Sequence, residues 1–218
     1  MLIGKIIKIV LLAALAVAFA AESNVFAQAK KRPLNRRKHI VAGKRKAQPK
    51  RRRTFIEVAS IPTPMETVSE MLRLADLKKG DVLYDLGSGD GRIPLEAARK
   101  YGIRAVGVEI KPQLVEAANK QAKNEGLDKL AHFVQADLFK MSYREANVVT
   151  LYLSDSINER LRPKLVREMR PGSKIISHDF RMGDWQPEKT VRVPWENLYR
   201  TVYLWTVPEK KNLKEKGK

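Results

Sequence analysis

Apolar positions along the chain recur with two different periods. Over residues 64–77 they fall at Met65, Val68, Met71, Leu72, Leu74, Ala75 and Leu77. That three-to-four spacing predicts an amphipathic helix, with Pro64 suited to its first turn. Residues 81–86 form a short, largely apolar run that ends in glycines, and so predict a strand. A helix is expected over 92–101, a strand over 105–109, a helix over 112–124 closed by Gly126, and a third strand over 131–135. Residues 147–153 are almost wholly apolar, as a strand buried on both faces requires. A helix over 157–169 is expected to break or restart at Pro163. Pro171-Gly172 then turns the chain into a fifth strand over 174–178. Residues 190–193 and 200–207 alternate like an antiparallel pair. Strands alternating with helices predict an α/β fold: a mostly parallel seven-stranded sheet, helices on both faces and a C-terminal antiparallel hairpin.

The N-terminal quarter has neither period. Residues 9–21 are unbroken apolar and follow Lys5 and Lys8. Ala18-Phe19-Ala20 and Val25-Phe26-Ala27 are small-x-small cleavage patterns, so residues 1–27 have the layout of a secretory signal peptide. Thirteen helical residues span only about 20 Å. With Lys5 and Lys8 snorkelling, the apolar stretch starts at Leu2 and reads instead as an uncleaved membrane anchor. Six Lys/Arg in residues 22–41, against two before the apolar run, would hold the following domain on the cytosolic side of such an anchor. Cleavage would export it. Residues 28–53 are Lys/Arg-rich without apolar periodicity and read as a disordered arm. They suit either a solvated linker or a contact with an anionic membrane surface or RNA. Residues 54–208 carry the globular pattern, and 209–218 form a basic tail.

Charge changes the picture only once it is mapped. The 218 residues hold 43 Lys/Arg against 24 Asp/Glu, a net charge of +19 that suggests a nucleic-acid binder. Thirteen of those cations lie in residues 30–53, where there is no acid, and the segment 54–208 is left with only +2. With no Cys and three scattered His, disulfides, cysteine nucleophiles and a metal site are not expected.

The chemistry gathers where strands end. Asp85-Leu86-Gly87-Ser88-Gly89-Asp90-Gly91 joins the first strand to a helix. Its glycines let the backbone turn sharply and approach a ligand. The spacing is D-x-G-x-G-x-G rather than the dinucleotide G-x-G-x-x-G, since Arg92 follows Gly91. Asp85 puts a carboxylate where a phosphate site would avoid one. It suits a cationic ligand such as the amino-acid part of S-adenosylmethionine (SAM). Glu109 ends the second strand, where an acid can bond ribose hydroxyls. Asp137, in Gln135-Ala136-Asp137-Leu138-Phe139, can accept from an adenine amino group or serve as a turn residue. Three acids at three successive strand ends agree with one another better than any one persuades alone.

Residues 62–185 resemble a class I (Rossmann-like) SAM-dependent methyltransferase. More narrowly they resemble the protein-lysine methyltransferases acting on the ATP synthase c-subunit and the adenine nucleotide translocase, with their bacterial relatives. The matching pieces are Pro62-Thr63-Pro64, residues 84–94, Gly107-Val108-Glu109-Ile110, Asp137-Leu138-Phe139, residues 149–153 with Asn158, Ser177-His178-Asp179-Phe180, and Met182-Gly183-Asp184-Trp185. The resemblance implies SAM as cofactor, held by Thr63, Asp85, the loop residues Gly87, Ser88, Gly89 and Gly91, Glu109, Asp137 and Leu138. It implies a protein substrate with a target lysine, a membrane protein among the candidates, and a substrate-side role for the end of the fourth strand. Members of this family often carry an N-terminal membrane segment. The basic arm is a departure from the family.

At the fourth strand's end, Tyr152 suits a buried strand position with its hydroxyl satisfied, or the lysine channel, where an aromatic face tolerates an ammonium. Asn158 suits orienting the amine or capping the following helix. His178 and Asp179 read as structural, because methyl transfer depends mostly on positioning. Trp185 and Trp195 read as core or rim aromatics. The chain lacks the Asp/Asn-Pro-Pro-aromatic motif of base N-methylating enzymes at residues 152–155. Two other readings stay open: a methyltransferase acting on RNA or a small molecule, and a non-catalytic basic membrane- or RNA-binding protein on the same fold.

Overall fold

The computed structural model describes residues 61–209. Residues 1–60 and 210–218, with the expectations of a signal peptide or anchor and a basic arm, lie outside the described residues. Among the described residues no helix is long and apolar enough to cross a membrane. The placement drawn from an N-terminal signal or anchor is corrected accordingly, and no localisation is assigned.

The elements run α1 (Met65–Ala75), β1 (Val82–Leu86), α2 (Arg92–Tyr101), β2 (Arg104–Glu109), α3 (Pro112–Asn124), β3 (Ala131–Gln135), β4 (Val148–Leu151), α4 (Asp155–Glu168), β5 (Lys174–His178), β6 (Lys189–Trp195) and β7 (Leu198–Thr206). They build one seven-stranded sheet in the order β3-β2-β1-β4-β5-β7-β6. β1 to β5 pair in parallel, and β7 runs antiparallel to both β5 and β6. Strand order reverses between β1 and β4, so a crevice is expected at the carboxyl ends of these strands.

The period of two sorts the core into two faces. Leu83, Ala105, Val148, Ile176 and Leu204 point to one face, where they pack with Val68, Met71 and Leu72 of α1 and Ile93 and Ala97 of α2. Leu95, Ala98, Ala118, Ala122 and Phe133 extend that face under α3. Leu86, Val106, Val149, Leu151, Ile175 and Trp205 point to the other, against Leu161 and Leu165 of α4. Helices therefore cover both faces. The β3–β4 connection carries no helix; its Tyr143 and Ala146 fill the core instead.

Three local expectations shift. Pro64 is the N-cap of α1 rather than its first residue, and its carbonyl accepts from Val68 N. β4 is four residues long, so Tyr152 and Leu153 lie beyond the strand. α4 runs unbroken through Pro163. Both Pro163 and Glu159, whose carbonyl loses its partner there, are exposed, and water can take the missing bond.

Candidate functional site

The loop after β1 is a main-chain device. Gly87 and Ser88 both donate to the Val108 carbonyl, and Gly91 N donates to the Ser88 carbonyl. Gly91 opens α2 at φ 84°, and a Cβ there would lie 2.6 Å from the Phe133 ring. Gly87, at φ 78°, would put a Cβ 2.6 Å from Leu153 Cδ2. Conformation disfavours a side chain at both positions, and at Gly91 the Phe133 ring and Ala118 Cβ also leave no room for one. Ser88 Oγ is buried without a hydrogen-bond partner.

Asp85 lies beside Thr150 in the β1–β4 register, and Thr150 Oγ1 donates to Asp85 Oδ1 at 2.7 Å. The carboxyl is 3% exposed. Burial pushes it up to about 7; the Thr150 bond offsets this in part, and the Asp90 and Glu109 charges add to it. No ion pair to Asp85 occurs among the described residues. A buried carboxylate held without a cation suits a positively charged ligand, so the residues present fit the SAM ammonium group.

Glu109 is gripped by backbone. Its Oε2 accepts from Gly89 N at 3.1 Å, and its Oε1 accepts from Ile110 N at 2.8 Å and Lys111 N at 3.0 Å. A carboxylate has about four acceptor positions, so about one remains for a ribose hydroxyl. Asp137 is half-buried, with Oδ1 accepting from Phe139 N at 2.9 Å. Leu138 is half-buried, and its carbonyl accepts from Tyr143 Oη.

Across the sheet, the ends of β4 and β5 form a second cluster. Tyr152 stacks on His178 with ring centroids 3.9 Å apart, and the Phe180 ring lies 5.8 Å from Tyr152, tilted by 27°. Burial raises the Tyr152 phenol above its ordinary range. His178 is fully buried, and burial holds it down to about 4 despite the Asp179 carboxylate, while Arg200 adds to the lowering. Its Nδ1 lies 3.1 Å from Thr63 Oγ1. Asp179, in the left-handed region at φ 57°, accepts from Thr201 N and from Arg200 Nη1. Asn158 is fully buried, and its amide donates to Ser177 Oγ at 3.0 Å and the Phe180 carbonyl at 3.3 Å. Its Oδ1 has no partner. The cap of α4 is Ser154, whose Oγ accepts from Ile157 N, so Asn158 does not cap that helix. Trp185 packs against Trp205 and accepts from its indole through its carbonyl, while Trp195 carries the Arg200 guanidinium over its ring. Both are half-buried, Trp185 against the core.

The sheet thus brings Asp85, Gly87, Ser88, Gly89, Gly91 and Glu109 together, with Thr63 near Arg92 at one side and Tyr152, Asn158 and His178 along β4–β5. Asp137 and Leu138 follow β3 on the far side of Glu109. Sequence reasoning missed Thr150 and Arg92. Thr150 is the only polar residue within 148–153, and that was its available signal. Arg92 donates to the Thr63 carbonyl at 2.8 Å, a contact no local pattern announces.

Residues 85–189 match the family model of the ANTKMT methyltransferase domain. A protein-lysine N-methyltransferase of Saccharolobus islandicus is 38% identical over 155 residues, 71% of this chain and 96% of that protein. The adenine nucleotide translocase lysine N-methyltransferase of Mus musculus is 35% identical over 62% of this chain; the match spans 59% of the mouse protein's length. A solved structure described as an RNA methyltransferase from Salinibacter ruber, in complex with S-adenosylhomocysteine, is 52% identical. It aligns with a TM-score of 0.65 over 69% of this chain and 96% of its own.

Proposed function

Because the chain belongs to the SAM-dependent methyltransferases that share the ANTKMT methyltransferase domain, we propose that it methylates lysine side chains of a protein substrate. We assign the catalytic unit to residues 54–208, with the arm 28–53 and the tail 209–218 outside it. Thr63, Asp85, Gly87, Ser88, Gly89, Gly91, Glu109, Asp137 and Leu138 hold the cofactor, and Tyr152 and Asn158 serve the acceptor. No metal takes part. An acceptor of the kind named for the mouse relative, an adenine nucleotide translocase, is the finer form of this reading.

When bound, SAM supplies a methyl carbon activated by a positively charged sulfur. Asp85 binds the opposite charge in a dry setting, where attraction is strong. The Gly87–Gly91 turn lets backbone approach the ligand without Cβ clashes. On the acceptor side, the half-buried Tyr152 offers a ring face that accepts a lysine in its cationic or neutral form. Removing water beside a positive charge favours the neutral amine, the nucleophilic form. His178, held neutral, is sandwiched among Tyr152, Thr63 and Asp179, and is not free to act as a proton acceptor from the substrate.

The observation that carries the lysine reading is the aromatic wall of Tyr152, His178 and Phe180, in which Tyr152 stands where base-methylating enzymes carry an Asp/Asn-Pro-Pro-aromatic motif. The Salinibacter ruber relative favours RNA as a second reading. Incubating the purified chain and tritiated SAM with protein, membrane and RNA fractions separates them. Methyl-lysine in acid hydrolysates of protein is the expected product. Label confined to an RNase-sensitive fraction overturns it.

A further inference from the structure

Thr63 is gripped from two sides by residues outside the assigned site. Its carbonyl accepts from Arg92 Nη1 at 2.8 Å. The same guanidinium makes a fork on Asp90, with contacts of 2.6 to 3.0 Å. Its hydroxyl lies 3.1 Å from His178 Nδ1. Arg92 begins α2, directly after the glycine loop, and His178 ends β5. β4 lies between β1 and β5, so residues 61–64 bridge the carboxyl ends of these three strands. Ile61 is 60% exposed while Thr63 is 4% exposed, so the chain dips inward at the gripped residue.

The imidazole's tautomer follows from its neighbours. A neutral ring carries one N–H and one lone pair. Asp179 Oδ2 is 3.3 Å from Nε2, off the line of a good hydrogen bond but close enough for strong electrostatics. A lone pair on Nε2 would face that carboxylate and be repelled; an N–H there is attracted. Arg200 and Thr201 fix the carboxylate in place. The proton therefore sits on Nε2, and Nδ1 is an acceptor. Thr63 must donate its hydroxyl proton to Nδ1, which leaves the oxygen lone pairs of Thr63 for a donor elsewhere.

We propose that Arg92 and His178 are positioning residues that clamp Thr63 by its carbonyl and its hydroxyl, holding residues 61–64 as a strap across the cofactor crevice with the Thr63 oxygen presented as an acceptor. The strap slows cofactor release. His178 thereby acts on the cofactor through Thr63, rather than on the acceptor as a base. This rests on the SAM-binding reading but not on the identity of the acceptor.

Calorimetry and stopped-flow release of SAM from the full chain test it, and neither needs an acceptor. Thr63→Val, close in shape, is expected to raise Kd about tenfold, mainly through faster release. His178→Leu is expected to do the same, and the double variant to be no weaker than either single one. His178→Asn, whose Oδ1 can replace Nδ1 as acceptor, is expected to recover most of the affinity. Independent, multiplying losses of about a hundredfold in the double variant overturn the clamp, as does an unchanged Kd in Thr63→Val. Loss of affinity in His178→Leu that Asn does not recover also overturns it. Failure of the wild-type chain to bind SAM would instead refute the methyltransferase reading itself.

Discussion

The two halves of the crevice are built by different means. Around β1 and β2, seven consecutive residues from Asp85 to Gly91 and one carboxylate, Glu109, do the work largely through backbone. Around β4 and β5, side chains from positions 152, 158, 178, 179 and 200 gather, and His178 reaches Thr63, only because the sheet brings them together. The first half relies on a tight turn, which demands particular residues in a row. The second relies on register and packing, which many residue sets can satisfy. The first half is therefore suited to a fixed ligand; the second, apart from the contact of His178 with Thr63, suits an acceptor that varies.

The strongest way to break that division is to neutralise Asp85. Asp85→Asn keeps an oxygen for Thr150 but removes the charge. Losing one partner of a buried pair is expected to weaken SAM binding roughly 100-fold or more. The same change removes an uncompensated buried carboxylate from the free protein, so its Tm should rise or hold. Calorimetry and thermal unfolding read both effects, and a fall in both would make Asp85 a structural residue.

A smaller effect should appear on the other side alone. Tyr152→Ala removes the ring stacked on His178 and is expected to lower kcat/KM for a lysine peptide about tenfold to thirtyfold. SAM affinity should fall less than about threefold, because Tyr152 bears on the cofactor only through the imidazole it stacks on. Tyr152→Phe should retain most activity. An equal loss of SAM affinity in the Ala variant would erase the boundary between the halves.

pH separates the halves without mutation. Asp85 titrates near 7 in the free fold against 3.8 for an ordinary Asp. The folded protein thus binds more protons than the unfolded chain between these values, and this group's contribution to stability falls as pH rises from about 4 to 7. A cationic ligand favours the ionised form, so binding should release a proton below pH 7. SAM Kd is expected to rise about tenfold per unit as pH falls from about 6.5 to 5.5. Asp85→Asn should flatten that slope. His178 acts with the opposite sign: its depressed value makes its contribution to stability disappear as pH falls from about 6.5 towards 4.

Legibility in the sequence follows the same division. The strand ends at Asp85 and Glu109 and the bounds of α3, β3 and β5 were readable because each rests on local periodicity or a run of glycines. β4 was read too long because Tyr152 and Leu153 continue the apolar run after the ladder ends; their side chains pack around the site rather than into a strand. A Pro in mid-helix predicts a break or restart at Pro163, but the lost bond falls on the exposed side of the helix, where water can replace it. The Thr63–His178 contact spans 115 positions and has no local signature. Arg200, which anchors Asp179, lies on β7 and meets it only through the antiparallel register of β5 and β7, where His178 faces Val202.

The finest test lies within the legible half, at Glu109. Three of its roughly four acceptor positions already take backbone N–H groups. If its role is mostly to shape the loop, Glu109→Gln should cost folding stability more than affinity, since an amide nitrogen cannot accept from Gly89. If the remaining position binds ribose, affinity should also fall, though modestly, because one hydrogen bond to a charged group is at stake. With the cofactor reading assigned here, S-adenosylhomocysteine affinity is expected to drop about threefold to tenfold. A 2′-deoxy or 3′-deoxy analogue then decides between the two. The wild-type chain should lose affinity for one of them, and Glu109→Gln should not discriminate against that same analogue. Equal discrimination in both proteins would assign Glu109 to the loop alone, and the cofactor half would rest on Asp85 and the glycine turn.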